Sequence, residues 1–363
     1  MNANAIKQFD AAITRLGVVF APDGSPTEVE GVLNPGCARA RDGALLLYPR
    51  VVGEGNTSRV GIARGIERGA DIRFERLNFA LEPSAPYERR GPNSGGLGCE
   101  DPRVTFLPVL DRYVMVYTAF GPLGPRIAIA LSRDGYTWER LGLVDFSLPG
   151  LPHGDDKDGA FFPESVISPS GVLSLAFYHR PMLKLSTQNG RAAVPTILEL
   201  PPTSRESTRI AYVPLEAVLA DVRNLLCVHE SVLVLAPDGA WGRIKTGGGT
   251  PPVRIAEGWF SMYHAVDAID IDGKFSMVYS AGYVVHDIER PDRVLFRSST
   301  PALAPEGIDE MHGIVNNVVF PTGIDVRRDR TFDIYYGMAD AKIGRARLEL
   351  APVAASAADE NAA

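Results

Sequence analysis

Cysteine is scarce in this chain of 363 residues, which contains 3 cysteines. Cys37, Cys99 and Cys227 lie far apart in the sequence, and no two of them have the spacing of a zinc site or of a redox pair. Disulfide frameworks belong to short secreted chains with many cysteines, which this chain does not resemble. We therefore expect reduced thiols and a cytoplasmic location.

Three further features are missing, namely a membrane span, a secretory leader and basic clusters. No apolar run approaches the roughly 20 residues that a membrane span needs. The first residues do not follow the basic, apolar and small-residue order of a secretory leader. Basic clusters are absent too, and the formal net charge is −7. We expect no nucleic-acid partner and no membrane partner.

What the chain does contain is a repeated pattern of two alternating strands joined by a short polar turn. Copies begin near residues 44, 113, 172, 259 and 331, and 36 glycines and 28 prolines supply turn residues. Five small units of antiparallel strands are typical of a propeller. We predict an all-β fold, a five-bladed β-propeller. A pair of β-sandwiches is the alternative, but it would need a second core and a linker that the sequence does not show.

The predicted organisation is a single catalytic propeller domain over residues 17–350. Residues 1–16 have weak helical spacing and are predicted to form a lead-in segment with a short helix. Residues 351–363 are small and polar and are predicted to be a flexible tail. Residues 183–230 lack a clear strand pattern, and we interpret them as an insertion near the third unit.

The segment Glu100-Asp101-Pro102-Arg103 places two carboxylates and an arginine around a proline at the start of a predicted strand. Proline fixes its own φ and favours an extended residue before it, so the carboxyl groups are held rigidly. Rigid presentation suits an acid catalyst. The alternative is an ordinary turn, because Asp-Pro is common at turns.

Polar residues also end the first strand of each unit. These residues are Arg50, Thr118, Arg180, His264 and Asp340. In a propeller the equivalent strand ends meet at one mouth of the central channel, which makes this set a candidate site. Lys245 precedes a glycine run at residues 247–249 that could bring backbone N–H groups close to an anion, although it is not a P-loop. The alternative is that strand ends are polar only because they meet water.

At these residues the sequence resembles glycoside hydrolase family 130, the inverting mannoside phosphorylases and related β-mannosidases. The motifs that carry the resemblance, in chain order, are Asn34-Pro35, residues 46–50, residues 100–103, residues 117–119, Lys157-Asp158, residues 162–164, residues 179–181, residues 245–252, Gly258-Trp259, Tyr263-His264, residues 317–321 and residues 335–340. The sequence departs from the family pattern at Pro49 and Ala265.

The resemblance implies a role for each matching residue. Asp101 is the expected catalytic acid, passing its proton through a sugar hydroxyl. The expected phosphate-binding residues are Arg180, Lys245, His264 and Tyr279. The expected sugar-binding residues are Asn34, Arg50, Arg59, Arg103, Asp158 and Asp340. The implied partners are a β-mannoside oligosaccharide and inorganic phosphate, which is a co-substrate, and no other cofactor is expected. A homo-oligomer is left open.

The residue types suit the implied reaction. Inverting cleavage needs an acid at the leaving oxygen and a nucleophile on the opposite face of the sugar. Phosphate can be that nucleophile, and cations would hold it. The implied products are α-mannose 1-phosphate and a shortened sugar. Two alternatives remain: an inverting β-mannosidase that uses water, with Glu230 as the base, and a non-catalytic sugar-binding propeller.

A metal site is not predicted. His153, Asp155, Asp156 and Asp158 form a local cluster that could bind a cation. A solvated acidic loop is the preferred interpretation, because these residues crowd one short polar segment.

Overall fold

The computed structural model describes residues 8–90, 96–150, 154–183, 194–271 and 274–353. Strands dominate these ranges. The first described strand is β1 (Gln8–Phe20), which pairs with the last strand and not with the strand that comes next in the chain. After β1, the remaining strands form five consecutive antiparallel groups.

The first and second groups share one sheet. The first contains β2 (Gly31–Arg39), β3 (Leu45–Gly53), β4 (Thr57–Arg68) and β5 (Asp71–Leu81). The second contains β6 (Leu97–Leu107), β7 (Arg112–Gly121), β8 (Gly124–Ser132) and β9 (Glu139–Leu143). A short parallel pairing of β4 with β6 joins the two groups.

The third group contains β10 (Asp156–Phe161), β11 (Val166–Ile167), β12 (Leu173–Pro181), β13 (Thr208–Pro214) and β14 (Glu230–Leu235). The helix α1 (Val194–Glu199) precedes β13, and α2 (Leu215–Ala220) follows it. Residues 183–230, interpreted above as an insertion, thus include a strand of the sheet itself, because β13 pairs with both β12 and β14. Residues 184–193 lie outside the described ranges.

The fourth group contains β15 (Lys245–Gly248), β16 (Val253–Ile255), β17 (Gly258–Ile271), β18 (Lys274–His286) and β19 (Val294–Arg297). The fifth follows the helix α3 (Ile308–Met311) and contains β20 (Val319–Arg328), β21 (Thr331–Met338) and β22 (Lys342–Val353). The strand pairs expected from the sequence are present, and the all-β prediction is confirmed at this level.

The predicted lead-in helix is wrong for residues 8–16, which belong to β1. This strand pairs antiparallel with β22, from Gln8 opposite Val353 to Phe20 opposite Ile343. Its alternate residues Phe9, Ala11 and Ile13 face the core of the fifth group. A period of two suits a strand, so the few apolar residues here followed strand alternation and not helical spacing. At the other end, residues 351–353 belong to β22.

Apolar clusters fill the spaces between neighbouring groups. One joins the first group to the second, and others join the second to the third, the third to the fourth and the fourth to the fifth. A fifth cluster brings Val32 and Leu47 of the first group against Tyr335 and Ile343 of the last. Each group therefore packs on its neighbours in sequence, and the last packs on the first. No helix in the described ranges is long and apolar enough to cross a bilayer.

The docking of β1 can be tested at Phe9, which is 5% exposed and packs edge-on against Phe296 with ring centroids 5.5 Å apart. We expect Phe9→Ala to lower the free energy of unfolding by about 3 kcal/mol, since it empties a buried aromatic site. Urea unfolding measures this loss. Asp10→Ala, at the neighbouring exposed position, is the control. A loss below about 1 kcal/mol would show that β1 is not held on the sheet in solution.

Candidate active site

Three strands carry the same irregularity at the same place. The ladder register breaks between Leu33 and Gly36 in β2, between Glu100 and Arg103 in β6, and between Lys157 and Ala160 in β10. Each break contains one residue in the left-handed region: Asn34 with φ 42°, Asp101 with φ 47° and Asp158 with φ 65°. Asn and Asp tolerate this backbone better than other side chains that carry a Cβ. A bulge re-aims the side chain it contains, so the repeat directs three polar groups out of their ladders.

The neighbouring strand of each group supplies a second residue beside this position. Arg50 lies opposite Leu33, Thr118 lies opposite Glu100, and Arg180 lies opposite Lys157, each at the residue just before the left-handed position. Three of the polar residues predicted to meet at strand ends thus occupy equivalent register positions. In the fourth group, where the ladder between β15 and β17 is regular, His264 lies opposite Gly247. Contacts between the groups, described next, bring them together.

Asp101 is buried among hydrogen-bond donors. Its Oδ1 accepts from Asn34 Nδ2 at 2.9 Å and from Arg50 Nη1 at 3.2 Å. Glu100 beside it accepts from Arg50 Nη2 at 2.9 Å and from Lys157 Nζ at 3.1 Å. These five residues, drawn from three groups, are called the Asp101 network below.

Charge decides the ionisation of Asp101. Burial acts to raise the pKa of its carboxyl group, but Arg50, Lys157 and Arg103 favour the carboxylate and outweigh that effect. The net result is a pKa below the ordinary value, so the carboxyl group is ionised in the free site.

Asp340, in the turn between β21 and β22, is the opposite case. Burial raises the pKa of Asp340 to about 6, Arg50 opposes this, and the nearby carboxylates Asp101 and Glu100 add to it. Its backbone is also left-handed, with φ 53°. Two carboxyl groups that influence each other therefore have pKa values shifted in opposite directions, which is the pattern of an acid–base site.

Asp158 is the meeting point of a second network. Its Oδ2 accepts from Arg180 Nε at 2.6 Å and lies 3.6 Å from His264 Nε2, while its Oδ1 lies 3.5 Å from Arg103 Nη2. All four side chains are at most 5% exposed. Burial opposes ionisation of Asp158, yet Arg180, with Arg103 adding to the effect, lowers its pKa well below the ordinary value. We call these four residues the Asp158 network.

Arg103 links the two networks. Its Nη1 donates to the backbone carbonyl of Asp101 at 3.1 Å, and its Nε and Nη2 donate to the carbonyls of Gly249 and Gly248 at 2.8 and 2.9 Å. The glycine run is required here for space. A Cβ on Gly247 would lie 2.2 Å from the His264 ring and 2.3 Å from Asp158. The run presents carbonyl oxygens to Arg103 at this site, whereas the sequence led us to expect N–H groups that approach an anion.

The matches to known proteins are consistent with this geometry. The family model described as beta-1,4-mannooligosaccharide phosphorylase matches residues 5–194 and 216–354. The chain belongs to glycoside hydrolase family 130.

Individual members of family 130 resemble the chain over most of its length. It is 30% identical over 256 residues to the 1,2-beta-oligomannan phosphorylase of Thermoanaerobacter sp. (strain X514), which covers 70% of this chain and 69% of that protein. The beta-1,2-mannobiose phosphorylase structure from Listeria innocua has a TM-score of 0.68 at 22% identity, covering 92% of this chain and 96% of that one. A second structure, described with glycoside hydrolases that target beta-1,2 mannosidic linkages in Candida mannan, has a TM-score of 0.66 at 21% identity, covering 96% and 95%.

His264 is neutral in the free site. Burial lowers the pKa of its imidazole to about 3, and the attraction of Asp158 does not overcome burial and the neighbouring cations Arg180, Arg103 and Lys245. Its Nδ1 lies 3.2 Å from the carbonyl of Gly248, which can only accept, so we assign the proton to Nδ1. Its buried Nε2 then has no hydrogen-bond partner in the part of the chain that the structure describes. The histidine expected to add positive charge thus offers a lone pair.

Lys245 and Tyr279 lie on the same side as His264. Lys245 Nζ is 5.1 Å from the centre of the Tyr279 ring, and the rings of Tyr279 and His264 stack at 6.5 Å. Phe320 of the fifth group covers His264 at 4.3 Å. The four residues assigned to phosphate by the family resemblance are thus neighbours.

A further chain of hydrogen bonds begins at the backbone of Arg180. Asp156 accepts the backbone N–H of Arg180 at 3.0 Å through Oδ1 and pairs with His179 Nδ1 at 2.8 Å through Oδ2. His179 Nε2 continues to Ser231 Oγ at 2.7 Å, where Arg209 Nε also donates at 3.0 Å. The Ser231 hydroxyl is thus hydrogen-bonded to both His179 and Arg209. Together these contacts hold β10 and β12 in place.

Two residues named from the sequence lie elsewhere. Arg59 pairs with Glu82 at 3.4 Å and lies over the Phe79 ring, and it makes no contact with either network within the described ranges. Glu230 accepts from Ser170 Oγ at 2.9 Å and lines a separate cavity of about 280 Å³ with Tyr212 and His229. The hypothesis that Glu230 is a hydrolytic base is therefore wrong on position, because strand pairing directs it to the far part of the third group.

Three residues that contact the site are not among those predicted from the sequence to line it. Glu100 and Lys157 belong to motifs already quoted, so their position could have been inferred. Glu206, which forms an ion pair with Arg180, had no such signal, since it lies in the segment interpreted as an insertion. No group of metal-ligating side chains occurs in the described ranges, which do not include His153.

The raised pKa of Asp340 yields a stability prediction. An unfolded chain ionises this carboxyl group near pH 4, whereas the fold resists ionisation up to about pH 6. The fold therefore loses stability as the pH rises from about 4 to 6, and the loss persists above that range. We expect Asp340→Asn to raise Tm by about 2–4 °C at pH 7, with the gain disappearing towards pH 4. Thermal unfolding at several pH values measures this.

Asn is the appropriate replacement at this position because it also tolerates the left-handed backbone. Asp329→Asn, at a side chain that is 83% exposed, is the control. A variant Asp340→Asn that is less stable than the parent at pH 7 would contradict the assignment of a buried, repelled carboxyl group.

Proposed function

We propose that this family 130 member is an inverting glycoside phosphorylase that cleaves a β-linked mannoside with inorganic phosphate. The observation that carries the proposal is the link through Arg103, which joins the carboxyl-bearing Asp101 network to the cations and imidazole around Asp158. An acid and an anion site are thereby held in one rigid frame.

The proposed reaction follows from this separation of roles. A phosphate oxygen attacks C1 of the mannosyl residue from the face opposite the leaving group, and the C1–O bond to the next sugar breaks. Asp101 supplies the proton that the leaving oxygen takes up, relayed by a sugar hydroxyl. Arg180 and Lys245 stabilise the phosphate charge, and Tyr279 donates through its hydroxyl. The products are α-mannose 1-phosphate and a sugar shortened by one unit.

Asp101 must gain a proton before it can act as an acid. Its pKa is lowered in the free site chiefly by Arg50, with Lys157 and Arg103 adding to the effect. A sugar that takes over hydrogen bonds from Arg50 and excludes the remaining water would raise that pKa again. Asn34, Arg50 and Asp340 surround Asp101 at positions suited to sugar hydroxyls, which supports their assignment to the sugar subsite.

We propose that the five strand groups are the blades of a five-bladed β-propeller. The support is the apolar packing of each group on the next, of the last on the first, and the pairing of β1 with β22. We also propose a cytoplasmic location and no cofactor besides phosphate. Both β-1,2 and β-1,4 mannosides are candidate substrates, because the similar proteins are named for these linkages.

A substrate screen tests the function. β-1,2- and β-1,4-mannobiose are incubated with the enzyme, with and without inorganic phosphate, and the products are identified by NMR. We expect α-mannose 1-phosphate, formed only with phosphate. Asp101→Asn should reduce turnover about 10²- to 10⁴-fold, the range of acid assistance. Release of free mannose at the same rate in both buffers would rule out phosphorolysis.

Lys245→Ala tests the anion site. Removing this cation should raise the KM for phosphate about tenfold or more, since a close charge is lost. The KM for the mannoside should change much less. Lys342→Ala, which removes a surface lysine paired with Asp309 at 2.6 Å, is the control. An unchanged KM for phosphate would place the anion elsewhere.

Hydrolysis is the second candidate function. The observation that favours it is the carboxylate of Glu206 on Arg180, since a carboxylate could deprotonate water where phosphate would otherwise bind. This candidate predicts free mannose as the product and turnover that is indifferent to phosphate.

A further inference from the structure

Glu206 forms a largely buried ion pair in the middle of the proposed anion site. Its Oε2 pairs with Arg180 Nη1, and its Oε1 accepts from the backbone N–H of Leu183 at 3.4 Å. The side chain of Glu206 is 18% exposed and that of Arg180 is 5% exposed. A surface ion pair contributes little, but one this enclosed occupies the arginine.

The backbone fixes Glu206 beside a second phosphate residue. Glu206 forms an isolated parallel bridge with Lys245, and its carbonyl accepts the N–H of Thr246 at 3.0 Å. The position of the carboxylate is therefore set by the same strand, β15, that carries Lys245. Glu206 therefore lies beside Arg180 because its backbone is paired there, and not because a flexible side chain extends from a distant surface.

The two carboxylates on Arg180 differ in how firmly they are held. Asp158 is 2% exposed and also contacts Arg103 and His264, so its removal would leave several buried groups unpaired. Glu206 is more exposed, and among the described residues its carboxylate has one further hydrogen bond, a long one from Leu183. Of the two, Glu206 is the one that an incoming anion can displace.

The balance of charge points the same way. Arg103, Arg180 and Lys245 carry three positive charges, and His264 is neutral in the free site. Asp158 and Glu206 carry two negative charges, which leaves one net positive charge to meet phosphate. If Glu206 withdraws, the balance becomes two, which matches the hydrogenphosphate dianion.

We propose that the Glu206 carboxylate occupies the phosphate side of Arg180 in the free enzyme and competes with inorganic phosphate for that arginine. Glu206 then sets the affinity of the enzyme for its co-substrate. This inference rests on the proposed phosphorolysis. Glu206 could instead support phosphate binding by orienting Arg180. The two roles are distinguishable, because removing the charge of Glu206 would raise the affinity for phosphate in the first case and lower it in the second.

The test is Glu206→Gln, which keeps the shape of the side chain and removes its charge. We expect inorganic phosphate, titrated by calorimetry, to bind about tenfold more tightly, a change equal to about 1.4 kcal/mol. The KM for phosphate in mannobiose phosphorolysis should fall by a similar factor, and the KM for mannobiose should stay within about twofold of the parent value. Glu206→Ala, measured in the same way, serves if the amide variant does not fold.

Glu349→Gln is the matched control, since it neutralises a carboxylate in an exposed pair with Arg328 at 3.1 Å. Weaker phosphate binding in Glu206→Gln would assign Glu206 a supporting role and overturn the proposal. Unchanged phosphate binding with loss of phosphate-independent mannose release would identify a hydrolytic base, and would overturn it too. A parent enzyme that does not use phosphate at all would instead refute the proposed function, so the two failures are distinguishable.

Discussion

The buried carboxylate of Asp158 is the interaction on which the site depends. Two guanidinium groups and an imidazole converge on it from three strand groups, and none of them is more than 5% exposed. Without this negative charge, Arg103 and Arg180 would repel each other in a space from which water is nearly excluded. Asp158 therefore allows the cations of the proposed anion site to be packed closely together.

The repeat explains how one small region collects so many functional groups. Each of the first three groups places a bulge with a left-handed Asn or Asp at the equivalent point of its first strand. A bulge gives up part of the ladder in order to aim a side chain, which is a cost that a purely structural strand would avoid. The same backbone device thus presents an amide, the proposed acid and the carboxylate that organises the cations.

Much of this arrangement could be read from the sequence. Strand alternation predicted the paired strands. The family resemblance named most of the residues that the structure brings together around Asp101 and Asp158, but it also named Arg59, which lies elsewhere. The lead-in region was misread because its short apolar pattern is ambiguous without its partner, β22, at the other end of the described chain. Glu206 was missed because its place follows from a bridge to Lys245 that no local pattern encodes. The neutral state of His264 could not be predicted either, since it results from burial among cations that only the fold assembles.

The two networks also differ in their charge and in the ionisation of their carboxyl groups. Around Asp101 the cations keep a carboxyl group ionised, while Asp340 close by holds its proton to about pH 6. Around Asp158 the excess is positive. Arg103, bonded to both sides, has its pKa lowered by burial despite Asp158 and Asp101, and three backbone carbonyls fix its guanidinium. Because the Arg103 guanidinium is rigid and weakly hydrated, it fixes the two networks relative to each other more firmly than a mobile side chain would.

The pairing of β1 with β22 has a consequence for how the molecule is made. During synthesis, residues 8–20 leave the ribosome long before residues 342–353 are made. The strand β1 therefore stays unpaired until β22 is available. Contacts between such distant parts of a chain form slowly, because a large loop must close first. The nascent protein thus carries an unpaired strand for most of its translation, and Phe9 lacks the residues of the fourth and fifth groups that cover it in the finished fold.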